Sequence, residues 1–175
     1  MGILSGDPSY KGRPRLSLES GPLDRILEVS GWIALAVLWT YTVSSVLQAP
    51  ETVPTHFDGS GSPNDFGSRW SLLILPAIGT FVFLVMTVIG RFPHLFNYGL
   101  KITQDNAAFQ YRLATRFLRV LKLSILVVLG LVVRLSIRAA AQSSGPPDGA
   151  TLFIVLALLL LPTAGYIFLS LRNKG

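Results

Sequence analysis

Two residue types able to hold a metal or move a proton stand two positions apart in one short polar segment, His56 and Asp58. Glu51 and Asp65 are close in sequence, so an imidazole with carboxylates could be offered to zinc or another divalent ion. Residues i and i+2 converge on an ion only through a turn, and a catalytic metal would also need an open coordination position and a substrate pocket. The simpler reading is a histidine hydrogen-bonded to the backbone of its loop or to Asp65, with no metal, no cofactor and no catalytic residue. Other routes to catalysis lack their residues as well. The chain has no cysteine, which excludes disulfides, thiolate metal sites and cysteine nucleophiles. It has no Gly-x-Ser-x-Gly, no His-Glu-x-x-His and no phosphate-cradling Gly-Lys-Ser/Thr run. Gly59-Ser60-Gly61-Ser62 reads as turn chemistry.

The elements that must position this segment are membrane spans. Half of the 175 residues are apolar and 14% are charged, against about 25% charged in soluble domains. The apolar residues cluster into runs, which predicts an all-α membrane protein, a bundle of about four transmembrane helices with a structured extracytoplasmic loop between spans 1 and 2. The spans are expected over about 26–47, 71–90, 117–137 and 150–171, within a transmembrane domain covering 23–175. Residues 1–22, with Gly, Pro, Ser and basic residues and no periodicity, read as a flexible cytoplasmic tail. Pro76 sits in the first turn of span 2, and Pro162 predicts a kink in span 4. The four spans read as free of Asp, Glu and His, which disfavours an intramembrane protease or a proton- or cation-coupled transporter.

Span 3 is the least apolar. Only Leu123 to Val133 is uncharged, and eleven residues reach about 16 Å, so Lys122 and Arg134 must snorkel to opposite headgroup layers or face the bundle, and snorkelling is the favoured expectation. Lys and Arg are unevenly placed, with four before span 1, one in the first loop, six in the second, two in the third and two after span 4. Both termini in the cytoplasm gives twelve inside and three outside, so the positive-inside rule predicts that orientation in a bacterial inner membrane. Thr103 is a plausible N-cap for a helix running into span 3. Beyond it, Arg112, Arg116, Arg119 and Lys122 recur on one helical face as a basic cytoplasmic stripe. Such a stripe could meet anionic lipid headgroups or an acidic partner, although fixing topology is sufficient reason for it. The formal charge of +6 follows the same bias, and no nucleic-acid-binding module is visible.

The loop is dense in turn formers interleaved with Phe57, Phe66 and Trp70, which suggests a compact loop folded back on the membrane surface. Ser68 or Ser71 could cap the start of span 2. The run Pro54, Thr55, His56, Phe57 and Asp58, then Gly61, Pro63 and Asn64, then Gly67, Ser68 and Arg69, resembles a bacterial membrane domain family of unknown function. That family is best known as the N-terminal half of the immunity proteins against the sporulation-delaying-protein toxin. The resemblance covers 33–80 and implies a span–loop–span module in a short stand-alone member. It suggests a non-enzymatic membrane protein whose external loop recognises a peptide, lipid or protein. Glu51, Asp58 and Asp65 against Arg69 would suit a cationic ligand. The alternative is an accessory subunit of a larger membrane complex, with small residues such as Ala157, Ala164 and Gly165 permitting close helix approach. An outward-facing metal-dependent enzyme is the third reading, and it requires zinc at His56 and Asp58.

Overall fold

The structure, a computed structural model, describes residues 12–59, 61–141 and 149–173. Helix α1 spans Pro22–Gln48, strands β1 and β2 span Thr52–Phe57 and Pro63–Ser68, and a 3₁₀ turn over Arg69–Leu73 leads into α2, Ile74–Ile89. A second 3₁₀ turn, Pro93–Leu95, precedes α3, Gln104–Ala141, and α4 covers Gly149–Arg172. Four of the helical segments are long and apolar enough to cross a membrane, and they correspond to the four expected spans. The chain is a multi-pass α-helical membrane protein with a small two-stranded sheet among the described residues.

Local chemistry sets the helix ends. Pro22 occupies the first turn of α1, where its missing N–H costs nothing, and Asp24 reaches back to accept the Gly21 N–H at 3.0 Å. The helix stops at Ala49, which is extended (ψ 154°) because it precedes Pro50. Thr103 caps α3 as expected, in a reciprocal pair with Asn106: the Asn106 N–H donates to Thr103 Oγ1 at 3.3 Å, and the Thr103 N–H to Asn106 Oδ1 at 2.9 Å. From there α3 continues without a break for 38 residues, about 57 Å, well beyond a hydrocarbon core of about 30 Å. The extra-membrane helix and span 3 are therefore one rod. Helix α4 runs through Pro162 as a single element.

That rod is the centre of the fold. It supplies Leu126 to a mid-bundle core with Leu35, Leu38 and Phe83, and Ile137 to a second core with Val46, Val53 and Leu72 beneath the hairpin. At its other end Ala107 and Tyr111 join Tyr98 and Ile102, with Leu18 and Tyr166 packed against them. Burial pushes the Tyr98 hydroxyl far above its usual range. Helix α4 docks on α3 through buried Gln110, which donates to the carbonyls of Ser170 (3.1 Å) and Asn173 (2.9 Å) and accepts from Ser170 Oγ (2.8 Å). Of the expected flexible tail, residues 1–11 lie outside the described residues. From Arg13 onward the chain is tied to this end: Arg13 donates to the carbonyl of Phe96, and the Tyr111 hydroxyl to that of Pro14 at 3.0 Å.

Where α1 crosses α2, the packing depends on a missing side chain. A Cβ on Gly31 would lie 2.8 Å from Phe83 Cε2, while Trp32 meets the same ring edge-on at 4.7 Å between centroids. At Gly165, by contrast, a Cβ would meet nothing within 4 Å. Overpacking typically costs about 1–3 kcal/mol, so Gly31→Ala should lower the melting temperature in detergent by roughly 2–10 °C. Gly165→Ala should leave it unchanged or slightly raised. Equal melting temperatures for the two variants would contradict this packing.

Candidate functional site

The motif residues of the loop build a hairpin. Thr52 pairs with Ser68, Val53 with Gly67, Pro54 with Phe66, His56 with Asp65 and Phe57 with Pro63, with irregularities on either side of His56. At the tip, the Asp58 N–H donates to the Ser62 carbonyl and the Ser62 N–H to Asp58 Oδ1, both at 2.9 Å. Gly61 closes the tip with φ of +81°, a conformation that favours glycine. Ser60 lies outside the described residues. Gly67 leaves room for Thr55, whose Cγ2 would stand 3.0 Å from an added Cβ. Ser68 caps the following 3₁₀ turn by accepting the Trp70 N–H at 3.4 Å.

An isolated two-stranded hairpin is marginal in water, so it must be held from outside. Val53 is fully buried against Val46 and Leu72, and burying a valine is worth about 1.5–3 kcal/mol. Arg69 clamps the base: its N–H donates to the Glu51 carbonyl at 2.9 Å and its Nη1 to the Ala49 carbonyl, at the end of α1, at 2.7 Å. Most of the motif is thus structural. Facing outward are Thr55, His56, Asn64 and Asp65, with Phe66 58% and Trp70 53% exposed.

His56 departs from both partners expected of it. Its Nδ1–H donates to the Asn64 side-chain oxygen, and Asp65 instead accepts the Phe66 N–H at 2.9 Å. The pairing irregularities flanking His56 account for this, since a bulge re-aims a strand side chain. Asp58 is committed to the hairpin tip. Among the described residues no three His, Cys, Asp or Glu converge as a metal cage.

At the opposite end of the bundle is a cluster that sequence reasoning assigned otherwise. Asp24 is 4% exposed and accepts Arg116 Nε at 3.0 Å, Arg116 Nη2 at 3.3 Å and Arg119 Nη1 at 3.4 Å. Four residues on, Glu28 meets Lys122 Nζ at 2.7 Å and Arg119 Nε at 3.4 Å. Lys122 is 2% exposed; it also donates to Thr87 Oγ1 at 2.8 Å and lies 4.2 Å above the centre of the Phe83 ring. The favoured expectation of snorkelling is therefore overturned for Lys122, which takes the other course and faces the bundle. A carboxylate, a hydroxyl and an aromatic face are all within reach inside the bundle, and together they replace its water. The stripe divides: Arg116, Arg119 and Lys122 turn to α1, and Arg112 stays exposed. Span 1 also carries a carboxylate that the apolar reading of the spans passed over, Glu28. The signal was present as two acids at i and i+4 on α1, matching bases three apart on α3.

A cavity of about 440 Å³ opens beside this cluster, bounded by Asp24, Arg25 and Glu28 on α1, Thr87 and Arg91 at the end of α2, and Arg119 and Lys122 on α3. Losing one partner of a buried ion pair strands the other charge. Lys122→Met should therefore destabilise the protein, and Glu28→Gln in the same chain should recover part of the loss. A double-mutant cycle on thermal unfolding should give a coupling of about 1–3 kcal/mol. Additive losses would refute the pairing.

Residues 32–80 match a family model described as Domain of unknown function (DUF1648), in agreement with the span–loop–span module expected over 33–80. An uncharacterized protein of the archaeon Archaeoglobus fulgidus is 45% identical over 73 residues, covering 37% of this chain and 40% of its own length. The chain thus spans well under half the length of that relative. No solved structure matches the chain. Helix α1 from Trp32, the hairpin and the start of α2 are accordingly similar to a domain of unknown function.

Proposed function

We propose that this chain is a non-catalytic protein of the cytoplasmic membrane, with both termini in the cytoplasm, whose hairpin docks an extended, positively charged peptide segment outside it. The observation that carries this reading is the outer edge of β2. Strand β1 lies against α3, whereas β2 pairs with β1 alone and is exposed along most of its length. An edge strand on a fixed base is the template for strand addition, in which main-chain bonds give affinity and side-chain contacts give selectivity. Phe66 and Trp70 supply apolar contacts beside that edge. Residues 50–70 hold three acids (Glu51, Asp58, Asp65) and one base (Arg69), a net charge of −2 on a chain of +6. With Arg69 occupied at the hairpin base, the balance of the surface favours a cationic ligand. Toxin immunity, the role of the immunity proteins in which the resembled domain is best known, would be one instance of such peptide recognition.

Two experiments test this reading. The natural absence of cysteine allows single reporters: Ser62→Cys should react with a membrane-impermeant maleimide on intact cells, and Asn97→Cys only after permeabilisation. The reverse pattern inverts the orientation. Peptide libraries panned against the nanodisc-embedded protein, with Phe66→Arg for counter-selection, should enrich basic sequences of high strand propensity. Enrichment of acidic or helical peptides, or none that depends on Phe66, would overturn the docking role.

A further inference from the structure

We propose that the cavity at the charged end of the bundle binds the headgroup of an anionic phospholipid, independently of the hairpin. The cavity is lined by four bases (Arg25, Arg91, Arg119, Lys122) and two acids (Asp24, Glu28), a balance of +2. Both acids are already engaged, Asp24 by Arg116 and Arg119, and Glu28 by Arg119 and Lys122. Arg25 and Arg91, both exposed at the rim, have no carboxylate partner among the described residues. They come from the start of α1 and the end of α2, two helices that meet the same membrane surface. Two guanidinium groups converging on one cavity suit a phosphate, which each can grip with two parallel N–H bonds. A volume of about 440 Å³ lies within the usual range for small-molecule sites, about 300–1,000 Å³.

The remainder of the lining favours a lipid over a free anion. Trp32, Met86 and Leu118 form an apolar wall of the same cavity, and all three belong to membrane-spanning helices. Arginines at the polar mouth with an apolar wall running into the bundle reproduce the order of phosphate and acyl chain in a phospholipid. An inorganic ion would leave that wall with nothing to cover it. The inner Asp24–Arg116–Arg119 and Glu28–Lys122 pairs join α1 to α3, and the Lys122–Thr87 hydrogen bond adds α2, so the site is formed before the lipid arrives.

The test uses the full chain, purified and delipidated in a neutral detergent, with binding read by native mass spectrometry and melting temperature. Phosphatidylglycerol should be retained and should raise the melting temperature, with phosphatidylcholine at least tenfold weaker. Inorganic phosphate at matched concentration should not displace it. Arg25→Gln combined with Arg91→Gln should weaken phosphatidylglycerol binding about tenfold or more. Lys101→Gln, an exposed base outside the cavity, should not. Equal retention of the two lipids, or an unaffected double glutamine variant, overturns the proposal, and displacement by inorganic phosphate transfers the site to free anions. Should the glutamine variant melt early without ligand, the Arg25→Lys and Arg91→Lys pair decides. It should keep the preference for phosphatidylglycerol at reduced affinity, and loss of the preference counts against the site.

Discussion

Asp24 and Glu28, one helical turn apart on α1, face Arg116, Arg119 and Lys122 on α3, and the rest of the structure depends on that pairing. Charges placed in a bundle that faces lipid are costly alone, and Lys122 is almost wholly buried. With its partners in place, the cluster fixes which faces of α1 and α3 meet and at what height. Helix α2 is drawn into the same arrangement, since Thr87 accepts from Lys122 and Phe83 lies under its ammonium. Phe83 in turn fills the space left at Gly31. Polar register and apolar packing are thus one interlocked feature.

Everything at the far end inherits its position from α3. A single rod passes from the Tyr98–Tyr111 cluster through the ionic cluster and the mid-bundle core to Ile137 under the hairpin. The hairpin therefore stands on a support that is continuous from one end of the bundle to the other. Its own residues are used mostly to hold its shape, with Gly61 and Asp58 at the tip, Pro54 and Val53 turned inward and Arg69 at the base. What is left for interaction is the edge of β2 with its exposed aromatic residues. The two ends differ in charge: residues 50–70 carry a net −2, whereas the cavity at the other end is lined by four bases and two acids.

Much of this was legible in the residues. The spans follow from apolar runs of the right length, the cap of α3 from Thr103, and the extent of the module from the spacing of Pro54, His56, Gly61 and Gly67. The strands were missed, because Pro, Gly and Asn at strand positions obscure the period-two pattern by which a hairpin is recognised. His56 was assigned the wrong partner, because neighbours in sequence do not report which way a bulged strand turns its side chains. Proximity to a span end favours snorkelling for Lys122 over facing the bundle, and only the acids of α1, distant in sequence, decide for the bundle.

By itself the sequence determined the number of spans, their order, the charge bias between the two faces of the membrane and the place of the structured loop. These are properties of length, hydropathy and local backbone preference, and each can be evaluated within a window of about twenty residues. Only the tertiary structure decided which charges meet. Asp24 and Arg116 are 92 positions apart, and a helical face identifies a neighbour only once the helices are packed. Three bases of a stripe that reads first as a topology signal thereby become the inner brace of the bundle, and the arginines left at the rim of the cavity, Arg25 on α1 and Arg91 just past α2, lie elsewhere in the chain.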